Sequence, residues 1–273
     1  MNKQQLLDEL EKLGMRPGRG LGQNFLLDGN MLEAIVRDAK IKPGELVLEV
    51  GPGFGALTRL LLDAGARVLA IEFDRRLAER LRRVVNSDRF TLIEADACKV
   101  DFYQILPENE PFRAIANLPY AISSVFIARM LELPQPPTAM SFMLQKEMAD
   151  RLAASPGTKN YGGLSVRTQL LYEVRISRNV PPEVFYPAPE VDSAIADFTL
   201  RTSLPDPKLA KRVCGVVRTA FGQRRKQLCK VLGAVYGVEK VREAFAALEM
   251  PPEIRPDRLT VEDFVNLTGE IFK

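Results

Sequence analysis

Residues 46–55 read Leu46-Val-Leu-Glu-Val-Gly-Pro-Gly-Phe-Gly55. A short apolar run ends in Glu49-Val50, and glycines follow at Gly51, Gly53 and Gly55. Beyond them Leu57, Leu60, Leu61 and Ala64 recur at helical spacing. This is the pattern of a buried strand, a tight turn and a helix. Three later segments repeat it, each an apolar run ending in one polar residue: Glu72 after Arg67–Ile71, Asp96 after Phe90–Ala95, and Asn117 after Arg113–Ala116. The spacing from Gly51 to Glu72, Asp96 and Asn117 is each time about one strand, one helix and their loops. In a parallel α/β sheet, residues so placed lie along one edge, at the carboxyl ends of the strands, where ligands bind. The four positions are expected to line a single cleft.

Working outward, residues 1–15 predict a short amphipathic helix carrying Leu6, Leu7, Leu10 and Leu13. Arg16–Gln23 is rich in glycine and positive charge and reads either as a mobile loop or as a basic arm that binds RNA through Arg16 and Arg19. Asp28 is placed to cap a helix over 30–40. Strands are predicted at 46–50, 67–72, 90–94, 113–117 and 139–144, with final strands at 173–179 and 194–200. The proline-rich Pro181–Pro189 reads as irregular. Strand alternating with helix predicts a doubly wound, mostly parallel sheet. Pro205 and Pro207 mark a boundary, beyond which the chain reads as helices only, at about 208–220, 224–235, 238–248 and 260–271. The expected organisation is an N-terminal helix and arm (1–23), an α/β domain (24–203) and a small all-helical domain (204–273).

The chain has 273 residues, enough for one large and one small domain. A formal net charge of +3 says little about partners, but its distribution says more. Between Lys208 and Lys230 stand Lys208, Lys211, Arg212, Arg218, Arg224, Arg225, Lys226 and Lys230, with no acidic residue among them. A solvated helix face mixes signs, so this bias favours a polyanion, read as nucleic acid. The absence of histidine removes any His triad, His base or His metal ligand. Three cysteines without Cys-x-x-Cys spacing fit a reduced, cytoplasmic protein without structural zinc. No segment reads as a secretory signal or a membrane span, and no metal is expected.

Alternate glycines rather than Gly-x-Gly-x-x-Gly, and the lack of a second nucleotide half, turn the reading away from NAD. Glu72 at a strand end suits a ribose diol, and Asp96 could accept from an adenine amine. Both serve S-adenosylmethionine (SAM), whose sulfonium favours acidic surroundings. In Asn117-Leu-Pro-Tyr120, an amide oxygen and a backbone carbonyl can both accept from an exocyclic amine, turning its lone pair toward an electrophile. Pro119 fixes the turn, and Tyr120 offers a face for a flipped-out base, worth about 1–3 kcal/mol.

The chain resembles the ribosomal RNA adenine dimethyltransferases. The matching pieces are Gly22–Asp28, Leu48–Thr58, Ile71–Asp74, Glu94–Ala97, Asn117–Tyr120, Gln145–Leu152, Tyr161–Val166, Val180–Ala194 and Ala220–Leu228. The resemblance implies a SAM-dependent methyltransferase fold with a seven-stranded sheet and a helical domain that binds RNA through Arg224, Arg225 and Lys226. It implies SAM contacts from Asn24, Leu26, Gly51, Glu72, Asp96 and Asn117. Asn117 and the Leu118 carbonyl would hold the target amine, and Tyr120 and Phe185 would sandwich the base. Gln23-Asn24 stands where Gln-His is common, and asparagine still offers donor and acceptor. The implied reaction is dimethylation of two adjacent adenines in small-subunit (16S) rRNA within an immature 30S particle. The sequence carries no sign of oligomeric state, and a monomer is the default expectation. The alternatives are a large-subunit methylase of the macrolide-resistance type and a ribosome-assembly factor whose methylation is secondary.

Overall fold

The computed structural model describes residues 1–15 and 24–273. The chain begins with α1 (Lys3–Lys12), β1 (Phe25–Leu26) and α2 (Gly29–Ala39). The repeating part follows as β2 (Leu46–Val50), α3 (Ala56–Asp63), β3 (Arg67–Glu72), α4 (Arg75–Val84), β4 (Phe90–Glu94), α5 (Phe102–Ile105), β5 (Phe112–Asn117), α6 (Ser123–Glu132) and β6 (Ala139–Gln145). Then come α7 (Lys146–Leu152), α8 (Gly163–Leu171), β7 (Tyr172–Val180), β8 (Phe185–Tyr186) and β9 (Ser193–Leu200). The chain ends in α9 (Pro207–Gly222), α10 (Leu228–Tyr236), α11 (Val238–Ala247) and α12 (Val261–Ile271).

Seven strands form one sheet in the order β4-β3-β2-β5-β6-β9-β7. β4, β3, β2, β5 and β6 are parallel, and β9 runs antiparallel to β6. All five residues of β2 are buried, as is all of β3 except Arg67. That explains their unbroken apolar character: strands covered on both faces cannot alternate. The order reverses between β2 and β5, the point where such sheets open a crevice at their carboxyl ends. Asp96 and Gly51 lie just beyond the ends of β4 and β2, and Glu72 and Asn117 are the last residues of β3 and β5, so the four line up in the spatial order Asp96, Glu72, Gly51, Asn117.

A second, two-stranded sheet was not expected. β1 pairs antiparallel with β8, Phe25 opposite Tyr186 and Leu26 opposite Phe185. Pro181–Pro189 is therefore not irregular throughout: a 3-10 turn at Pro182–Val184 precedes β8. The prolines flank a two-residue pairing that needs few backbone donors.

α1 starts at a capping box made by Asn2 and Gln5. Its Leu6 and Leu10 are buried with Met15, Phe54 and Leu77. Arg80 fastens it from α4, meeting Glu9 at 2.7 Å and lying 5.0 Å over the Phe54 ring.

By packing, the chain divides into two compact units, Met1–Ala149 with Arg175–Thr199, and Asp150–Val174 with Leu200–Lys273. The helical unit thus takes in residues 150–174, which a linear boundary at Pro205 leaves with the sheet. Its core explains why. Tyr161, Val166 and Leu170 are buried in one cluster with Val213, Val217, Phe245 and Phe264. The Tyr161 hydroxyl donates to the Leu259 carbonyl at 2.9 Å. The stretch 223–227 is a turn between α9 and α10, closed by the Lys226 amide donating to the Gln223 carbonyl at 2.9 Å, so residues 224–227 do not begin a helix as expected. Arg224, Arg225 and Lys226 therefore stand on a loop. Among the described residues no helix is long and apolar enough to cross a membrane.

Candidate active site at the sheet switch point

The glycine-rich turn after β2 is built by positive φ. Gly51, Gly53 and Gly55 have φ of 66°, 58° and 78°, which residues with a Cβ adopt at a cost of roughly 1–2 kcal/mol. A Cβ on Gly55 would stand 2.8 Å from Leu81, and one on Gly53 3.2 Å from the Phe25 ring. One on Gly51 would sit at 3.4 Å from Pro119, filling the gap between the turn and the Asn117–Tyr120 segment.

Glu72 closes this turn from β3. Only 4% exposed, it accepts from the Gly53 amide at 3.1 Å and the Asp74 amide at 2.9 Å. Burial raises its pKa against the pull of those amides. Glu49, in the middle of β2, accepts from the Thr58 hydroxyl at 2.7 Å. Burial pushes its carboxyl up to about 8, and the neighbouring Glu72 adds to the rise. Sequence reasoning did not assign Glu49 a role. The available signal was a carboxylate inside an otherwise apolar strand.

Asn117 ends β5 half-buried. Its amide nitrogen donates to the Asn24 carbonyl at 3.0 Å, which turns the amide oxygen to the opposite side. Pro119 begins a tight turn in which its carbonyl accepts from Ile122 at 3.1 Å and from the Ser123 hydroxyl at 3.1 Å. The Tyr120 hydroxyl lies 2.5 Å from Ser193 Oγ at the start of β9, and burial keeps the phenol protonated to higher pH.

Two adjoining cavities share Gly51, Glu72 and Pro119. One is lined by Asn24, Leu26, Glu49, Asn117, Leu118 and Tyr120, and the other by Phe73, Asp96, Ala97 and Ile122. The structure thus brings together Asn24, Leu26, Gly51, Glu72, Asp96, Asn117, Leu118 and Tyr120. Phe185 is not among the lining residues. It is 3% exposed and packed with Leu26, Val180 and Ile195, because its strand pairs with β1. Arg16 and Arg19 lie outside the described residues. Arg225, Lys226, Lys230 and Arg255 line a separate surface cavity with Gln223 and Gln227. Arg255 was not singled out in the sequence. Arg224 instead donates to the Thr158 carbonyl at 3.2 Å. Among the described residues there is no group of three or more carboxylates or thiols poised to hold a metal.

The sequence matches the profile of the ribosomal RNA adenine dimethylases over residues 17–272. The chain belongs to this family. Proteins named ribosomal RNA small subunit methyltransferase A are similar nearly end to end. That of Hahella chejuensis is 41% identical, over 96% of this chain and 95% of the relative. That of Alkaliphilus metalliredigens is 37% identical, over 96% and 94%. Among solved structures, a dimethyladenosine transferase from Plasmodium falciparum superposes with a TM-score of 0.73 at 25% identity, covering 89% of this chain and 95% of that one. The 23S rRNA methyltransferase ErmE gives 0.69 at 27% identity, covering 92% and 100%.

The dimethylase is thus an RNA-directed methyltransferase with SAM as methyl donor. Its cavities fit that donor chemically. Each Glu72 oxygen is held by one amide and keeps acceptor capacity for a diol. The bare Gly51 leaves the space before Pro119 that a side chain would fill.

Proposed function

We propose that this dimethylase modifies the N6 amines of two adjacent adenines in small-subunit (16S) rRNA, on an immature 30S particle in the cytoplasm, acting as a monomer. The observation that carries the chemistry is the Asn117 amide, oriented by Asn24 beside the carboxyl end of β2. Its oxygen and the Leu118 carbonyl accept from the target amine and turn the nitrogen lone pair out of the ring. Tyr120 stacks on the flipped base. Phe185 supplies the second face of the sandwich once the base draws it from its packing with Leu26.

Bound SAM supplies an electrophilic methyl group. Glu72 takes the ribose hydroxyls and Asp96 the adenine amine, with Asn24, Leu26 and Gly51 forming the remaining wall. The chain contributes positioning and exclusion of water more than acid–base catalysis. An alkylated amine loses its proton readily to water, in keeping with a site built without histidine. The small-subunit assignment is supported by relatives of that name at 37–41% identity, against 27% for the 23S enzyme. Arg225 and Lys226, with Lys230 and Arg255, hold rRNA phosphates. Arg224 shares that task, and Arg16 and Arg19 extend it from the N-terminal arm.

The deciding experiment transfers labelled methyl groups from SAM to unmethylated small subunits, large subunits and naked rRNA, and identifies the modified base by mass. Dimethyladenosine on small subunits is the expected product. Label confined to large-subunit RNA would overturn the substrate assignment. Bound SAM without any label would point to an assembly factor.

A further inference from the structure

The loop that carries Asp96 is held from outside. It turns tightly: the Asp96 carbonyl accepts from the amides of Lys99 at 2.8 Å and Val100 at 2.9 Å, and its side chain accepts from the Cys98 amide at 2.8 Å. Arg129, on α6, reaches across to this turn. One guanidinium nitrogen donates to the Ala97 carbonyl at 3.0 Å, and the other donates to the Val100 carbonyl. The central carbon of the same group lies 4.7 Å over the Phe102 ring, which is itself edge-on to Phe126 at 6.2 Å. Two carbonyls and a ring therefore fix one guanidinium in a plane, and that guanidinium fixes both ends of the turn. α6 follows directly from Asn117–Tyr120, so one helix joins the segment assigned to the target base to the loop assigned to the cofactor's base.

We infer that Arg129 is a positioning residue for recognition of the cofactor's adenine, acting through Asp96. The inference rests on the reading of Asp96 as the acceptor of the adenine amine. A lysine could not replace it, since it has neither a fork to span two carbonyls nor a flat face for Phe102.

The test is equilibrium binding of S-adenosylhomocysteine and its 6-deamino counterpart, the purine riboside analogue, to the full chain and its variants. The second ligand lacks the amine and keeps the ring N1 acceptor. Wild type should prefer the first, and Asp96→Ala should abolish the preference. Arg129→Met should cut the preference roughly tenfold, the scale of one hydrogen bond to a charged group, while affinity for the deamino compound moves less than twofold. Arg129→Lys, which keeps the charge and most of the stem, should lose as much and serves if the methionine variant does not fold. KM for SAM should rise with kcat unchanged. Full preference in both Arg129 variants, with Asp96→Ala blind to the amine, would overturn the inference alone. Preference surviving in Asp96→Ala would remove the reading of Asp96 beneath it.

Discussion

Glu72 holds the amide of Gly53 at 3.1 Å, so the last residue of one strand closes the turn that follows its neighbour. The carboxylate is buried at a cost, as its raised pKa shows. Glu72→Gln relieves that cost but accepts from only one of the Gly53 and Asp74 amides, its NH2 facing the other. The two effects oppose each other, so thermal unfolding of the ligand-free variant should move little. SAM affinity measured by calorimetry should fall about tenfold or more, since an amide accepts from a diol less strongly than a carboxylate. A drop in both together would mean that Glu72 is chiefly structural.

Gly51 and Gly55 should fail differently. An alanine at Gly55 meets Leu81 at 2.8 Å with φ at 78°, so Gly55→Ala should lose roughly 1–3 kcal/mol of stability in urea unfolding. An alanine at Gly51 meets Pro119 only at ordinary contact. Its main effect should be on SAM affinity, with a smaller loss of stability from its positive φ. Equal losses of stability would contradict this division.

Glu49 gives a pH dependence. Burial holds its carboxyl protonated up to about pH 8 in the folded chain, against an ordinary value of 4.5 when exposed. The unfolded chain releases this proton first, so stability falls as pH rises from about 4.5 to about 8 and levels off above. Glu49→Gln removes the effect. The gap in Tm, variant above wild type, should widen across that window in scanning fluorimetry. Parallel curves would show that Glu49 is already ionised when folded.

Arg225 and Lys226 are exposed, whereas Arg224 is half-buried against the Thr158 carbonyl. Charge reversal at Arg225 and Lys226 should weaken small-subunit binding and flatten its salt dependence by about one log unit per lost phosphate contact. SAM binding should not change. Reversal at Arg224 should also lower Tm. An unchanged salt slope in the first variant would remove this loop from the RNA interface.

Much of this site could be read before the fold was known, because its groups sit where a pattern breaks. β2, β3 and β4 lie where their apolar runs stand, and Glu72 and Asn117 are the polar residues that end such runs. What escaped has no such mark. Arg129 bonds to backbone carbonyls, which every residue carries, so nothing in the sequence names its partners. Ser193 meets Tyr120 across 73 positions. β8 is two residues long among prolines, too short for alternation to show. Residues 150–174 pack with helices far along the chain, and a boundary drawn at prolines follows sequence rather than packing.

The pairing of β1 with β8 has one more consequence. Asn24 and Leu26 line the cavity beside the glycine-rich turn, and Phe185 sits opposite Leu26 on the other strand. Whatever stiffens one strand of this small ribbon stiffens its partner. An order imposed on Leu26 by a ligand would thus be passed to Phe185 through four backbone residues, with no side chain needed to carry it.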